Sequence, residues 1–115
     1  MNDKEYIFDK MQRQINISVM KYRKHNPTSA AAYFHCAAIL GDILRDLYDV
    51  TVMDKDFYIN VIQAACRCQN VDYDSYFNTM CDIAYGEGWE WKDIAVRFLI
   101  PTAMKLQKKE IPFLL

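Results

Sequence analysis

Apolar side chains recur along this chain with a helical rhythm, and one segment carries more of them than a single buried stripe needs. From Ala30 to Tyr48, at 100° per residue, Tyr33, Cys36, Ala37, Leu40, Ile43, Leu44, Leu47 and Tyr48 share one broad face. Phe34 and Ile39 widen that face on either side, and the polar wedge left over holds His35, Asp42, Arg45, Asp46 and Asp49. A helix that lies on a core shows an apolar stripe of about 100°; a wider arc marks one enclosed by neighbours. The pattern therefore predicts that residues 30–48 form the central helix of a small bundle.

Four further segments read the same way. The first runs from about Lys4 to Lys24, capped by Asn2 or Asp3, with Phe8, Met11, Ile15, Val19 and Tyr22 turned inward and basic residues in its last turn. Asn26-Pro27 ends it, and Thr28 or Ser29 is expected to cap the central helix. Val50–Met53 reads as a linker. Asp54 caps a third helix to Cys68 that is expected to bury Phe57, Val61, Ala64, Ala65 and Cys68. Asn70-Val71-Asp72 breaks the chain before a fourth, about Tyr73 to Tyr85, with Tyr73, Tyr76, Phe77, Met80, Ile83 and Ala84 inward and a left-handed stop at Gly86-Glu87-Gly88. A fifth begins near Glu90, is apolar from Ile94 to Ile100, kinks or divides at Pro101 and ends among Lys105, Lys108 and Lys109.

The predicted fold class is thus all-α: a compact single domain of about five helices over residues 1–110, followed by an apolar tail, Ile111–Leu115. A length of 115 residues fits one domain with its own core. Three Gly and three Pro leave too few turn residues for an all-β chain. No apolar run is long enough to span a bilayer, and the N-terminus lacks the basic-then-apolar build of a signal peptide. The expected compartment is the cytoplasm, with all four cysteines as free, buried structural thiols.

The net charge of −1 conceals a segregation. Residues 1–26 carry a net +3, residues 27–53 a net −2, residues 54–93 a net −5 and residues 94–115 a net +3. The ends are basic and the middle acidic. Either the regions neutralise each other inside the bundle, or they make a dipolar surface that steers a partner.

Catalytic and metal-binding patterns are missing. Cys66 and Cys68 point about 200° apart on a helix and cannot grip one ion, and no His pair stands at helical spacing. The acids after Asp54 and Asp72 lack the Gly and Glu that a calcium loop requires at its sixth and twelfth positions. No phosphate loop, nucleophile elbow or zinc-protease run is present, and the i±3 and i±4 neighbours of His35 are Ala32, Ala31, Ala38 and Ile39. No metal, cofactor or enzymatic activity is expected. A helix-turn-helix built from the third and fourth segments would present Asp72, Asp74 and Asp82 to phosphates, the wrong sign.

The informative surface is the outer side of the first helix. Tyr6, Lys10, Arg13, Ile17, Met20 and Lys24 follow at spacings of four, three, four, three and four, a second stripe that is half apolar and half basic. A helix that only covers a core has no use for Tyr6, Ile17 and Met20 on its back. These six are the candidate partner-binding residues, for another protein or for a second copy; the alternative is that another part of the chain packs on them. Trp89 and Trp91 serve as core anchors or as contact residues. The expected function is that of a small non-enzymatic regulator or inhibitor acting by protein–protein binding. Anti-defence proteins of phages and mobile elements belong to this class. The alternative is a nucleic-acid-associated regulator using Lys10, Arg13, Lys21, Arg23, Lys24 and the C-terminal lysines.

Overall fold

Helix starts and stops along the chain follow from a few side chains. A computed structural model describes residues 2–48 and 54–89. Within them lie four helices and no strand: α1 (Asp3–Arg23), α2 (Pro27–Tyr48), α3 (Asp54–Cys68) and α4 (Tyr73–Gly86). The segments expected to form the linker at 50–53, a fifth helix and the apolar tail lie outside the described residues. The fold is an all-α compact domain.

The Asn2 side chain opens α1 by accepting the Glu5 N–H at 2.8 Å. Asp72 does the same for α4, accepting the Ser75 N–H at 2.9 Å. At α2 the expected cap is corrected. Asn26, not Thr28 or Ser29, accepts the Ser29 N–H, at 3.2 Å, and Pro27 is the first helical residue. Proline suits that place because its φ is already helical and the N–H it lacks would have no partner there. Asn26-Pro27 therefore ends one helix and starts the next.

Three of the helices stop in one way. After α1, the Asn26 N–H returns to the Lys21 carbonyl at 2.9 Å and the His25 N–H to Tyr22 at 3.0 Å, with His25 at φ +63°. After α3, Val71 returns to Cys66 at 2.9 Å and Asn70 to Arg67 at 3.2 Å, with Asn70 at φ +55°. After α4, Trp89 returns to Ala84 at 3.0 Å and Gly88 to Tyr85 at 3.1 Å, with Gly88 at φ +73°. Each is a Schellman stop, in which one left-handed residue lets two N–H groups satisfy the last carbonyls. Only the third uses the glycine that makes such a stop visible in a sequence.

The helices pack in the ring order α1, α2, α4, α3, each against its two neighbours. Met11, Ile15 and Val19 of α1 meet Ala30, Phe34, Ala37 and Leu44 of α2, Ile59, Ile62 and Cys66 of α3, and Tyr76, Met80 and Ala84 of α4 in one buried cluster. The core faces of α1 and α4 are those the spacing predicts. In α3 the face is rotated: Ile59, Ile62, Ala65 and Cys66 are buried, whereas Ala64 and Cys68 are exposed and Val61 is half-buried. Both stripes are apolar in sequence; the Phe57 side chain, also expected inward, lies outside what is described.

Across the middle of the ring runs a polar connection. The Ser18 hydroxyl donates to the Ala30 carbonyl at 2.6 Å, and Tyr76 Oη lies 2.6 Å from the same Ser18 oxygen. Ser18 has one proton and gives it to Ala30, so Tyr76 is the donor to Ser18. This chain joins α4 to α1 and α1 to α2, with Ser18 and Tyr76 both fully buried. Aromatic rings surround it: Tyr22 meets Tyr76 edge-on at 5.5 Å between centroids, and Phe34 meets Tyr76 at 6.1 Å and Phe77 at 6.3 Å.

The direction of these bonds predicts unequal mutational effects. Ser18→Ala strands the buried Tyr76 hydroxyl and should destabilise by about 1–3 kcal/mol. Tyr76→Phe removes the donor itself and should cost only about 0.5–1.5 kcal/mol. In urea unfolding, the double variant should be no less stable than Ser18→Ala alone. Simple additivity of the two losses would contradict a chain in which Tyr76 donates to Ser18 and Ser18 to Ala30.

Candidate partner-binding surface

With the core of α1 turned inward, its back carries the six candidate residues. Tyr6 is 53% exposed, and the Lys10 ammonium sits over its ring, 5.5 Å from the centroid. Such a contact is worth about 0.5–1 kcal/mol at an exposed site. Arg13 and Lys24 are exposed, whereas Lys10, Ile17 and Met20 are half-buried. The row is therefore open at its ends and partly sheltered in its centre. Beside it, Gln69 Nε2 donates to the Asn16 carbonyl at 2.9 Å, tying the end of α3 to α1.

The electrostatics of this face follow from the sequence around it. Residues 10–41 hold Lys10, Arg13, Lys21, Arg23 and Lys24 but no Asp or Glu. None of these five cations forms an ion pair with a described carboxylate. Exposed Asp72, Asp74 and Asp82 all belong to α4 and its cap. The acids of α1 itself, Asp3, Glu5 and Asp9, all precede this run of cations.

Where the α1–α2 and α3–α4 turns meet, a shallow groove of about 580 Å³ opens between Tyr22, Arg23, His25, Asn70, Asp72 and Ser75. The sequence carries no sign of it, because it arises from two left-handed turns that no glycine marks. Two of its polar side chains are committed to local structure. Asp72 caps α4 through Ser75, and the Thr79 hydroxyl on the groove wall donates to the Ser75 carbonyl at 2.8 Å. A guanidinium, an imidazole and a carboxylate line it.

The remaining side chains with chemical potential are scattered. His35 is half-buried and packs edge-on against Trp89, with ring centroids 4.2 Å apart. Trp89 lies partly buried against the core; Trp91 lies outside the described residues. Among the described residues, no group of three or more His, Cys, Asp or Glu is placed to hold a metal ion. No described helix is long and apolar enough to cross a membrane.

The reading of all four cysteines as buried thiols holds for Cys66 and Cys81 and is corrected for Cys36 and Cys68, which are exposed. Cys36 lies on the side of α2 away from Phe34 and Ala37, and Cys68 is on the outer side of rotated α3.

Burial, with Asp72 second, pushes the Cys66 thiol up from 9.0 to about 12. Burial also raises the Tyr73 and Tyr76 hydroxyls; Tyr73 Oη is enclosed without a hydrogen-bond partner among the described residues. The folded state thus keeps the Cys66 proton where the unfolded chain loses it. Stability should fall as pH rises from 9 towards 12, with the tyrosines adding in the same direction. In urea unfolding at a series of pH values, Cys66→Ala should flatten the first part of that decline. A wild-type stability that is level from pH 8 to about 10.5 would contradict the assignment.

Comparison with protein families, with curated proteins and with solved structures finds no match to this chain.

Proposed function

We propose that this protein is a small, non-enzymatic, cytoplasmic regulator or inhibitor that binds another protein through the back of α1. The observation that carries this reading is a row of cations on the back of α1, interleaved with Tyr6, Ile17 and Met20. An exposed cation contributes little to folding and can meet charge on a partner. Tyr and Arg bring large contact area with directed hydrogen bonds, and Met adapts to the shape it meets. The half-burial of Ile17 and Met20 leaves them apolar surface to close on binding. Inhibitors carried by phages and mobile elements are one class that works in this way.

A second reading draws on the same cations. Lys10, Arg13, Lys21, Arg23 and Lys24 on one helix also suit a phosphate backbone. The C-terminal lysines that would extend this surface lie outside the described residues. Salt separates the readings. Release of counterions from a nucleic acid gives a steep loss of affinity with ionic strength, whereas a protein interface with apolar contacts loses less.

The test is a comparison of wild-type protein with the variant Arg13→Glu/Lys24→Glu, both side chains being exposed. Circular dichroism should show the same helix content in each. Used as bait in extracts of the source cell, the wild type should retain a protein that the variant releases. Binding of that protein, once purified, should weaken at least tenfold, about 1.4 kcal/mol. Equal retention by both baits would remove α1 as the contact. Loss of all binding on nuclease treatment would transfer the function to the second reading.

A further inference from the structure

We propose that the outer face of α2 pairs with the same face of a second copy, antiparallel about a two-fold axis near Ile39. The inference is independent of the reading of α1. It begins from a mismatch between sequence and burial. The apolar arc of α2 is wide enough for an enclosed helix, yet Ile39 is 49% and Leu47 68% exposed. Ala32 and Cys36 are exposed too, and Ile43 is half-buried. At 100° per residue these five fall within an arc of about 80°, opposite the buried line of Phe34, Gly41 and Leu44. Their spacings of four, three, four and four keep them on one side of the helix.

Pattern along the seam selects the occupant. Its first half is small, Ala32 and Cys36, and its second half is large, Ile43 and Leu47. Set antiparallel against itself, the seam places Ala32 opposite Leu47 and Cys36 opposite Ile43, with the two Ile39 side chains meeting near the axis. Small faces large on either side of the axis, as close packing requires, and each of those contacts occurs twice, as a two-fold interface demands. A parallel pair would instead set small against small and large against large.

The flank agrees. His35, Asp42 and Asp46 lie along one side of the seam, and in an antiparallel pair like flanks meet. The same register sets His35 of one copy level with the Asp42–Asp46 stretch of the other. One helix pair buries less than the roughly 800 Å² per partner of a standard interface, so the dimer should be weak and concentration-dependent.

The test uses the full chain. Sedimentation equilibrium between about 10 μM and 1 mM should show a monomer–dimer equilibrium, with Ile39→Glu/Leu47→Glu raising its dissociation constant at least tenfold. The register has its own readout, which does not depend on that variant folding. In a Cys68→Ser background, Ile43→Cys should form an intermolecular disulfide with native Cys36 on mild oxidation with diamide. Native Cys36 alone should not pair with its counterpart, which lies about 10 Å further along the axis. A chain that stays monomeric throughout would overturn the proposal. So would a dimer indifferent to the Glu substitutions, or Cys36 in the monomer alkylated far more slowly than Cys68, which would mean the chain covers this face itself.

Discussion

A proton given by Tyr76 to Ser18, and another given by Ser18 to the Ala30 carbonyl, hold three of the four described helices in one arrangement. Apolar packing alone leaves helices free to slide by a turn or rotate by a residue at small cost, because one aliphatic contact replaces another. A buried hydroxyl is less tolerant. Displaced by an ångström or two it loses its partner and leaves a polar atom in the core, at a cost of about 1–3 kcal/mol. The connection runs across the ring of helices, so it sets the relation of α4 to α1, which are not sequential, and of both to the start of α2. Tyr76 adds the largest fully buried side chain among the described residues, with Tyr22 and Phe34 edge-on to its ring.

That interior arrangement decides which surfaces remain for partners. α1 turns Met11, Ile15 and Val19 inward and so exposes the side that carries its cations. With Phe34 and Leu44 of α2 in the core, Ile39 and Leu47 stand outside. α4 buries Tyr76 and Met80 and shows its aspartates. The three outer faces differ in kind: one basic with apolar insets, one apolar, one acidic.

The sequence shows much of this, unevenly. Helices α1 and α4 are legible because each has one continuously apolar stripe and an Asn or Asp cap at its start. The rotation of α3 is not, because Phe57, Val61, Ala64 and Cys68 compete with Ile59, Ile62 and Cys66, and periodicity cannot choose between two apolar stripes. The arc of α2 is visible, but an apolar residue in a sequence does not say whether its cover comes from its own chain. Two of the three Schellman stops are hidden because His25 and Asn70, rather than glycine, take the left-handed place. Ser18 carries no signal at all: one small polar residue between Ile17 and Val19 looks like a solvent position. For the partner surface, spacing identifies the row, while the half-burial of Ile17 and Met20 and the absence of ion pairs with described carboxylates emerge only in three dimensions.

Native-state hydrogen exchange tests the central claim most directly. If the Tyr76–Ser18–Ala30 chain locks α1, α2 and α4 into one unit, the slowest amides near Ser18, Phe34 and Met80 should open with a single free energy, equal to that of global unfolding and equally sensitive to denaturant. Amides of α4 that exchange through a separate, cheaper opening, with α1 and α2 still protected, would contradict it.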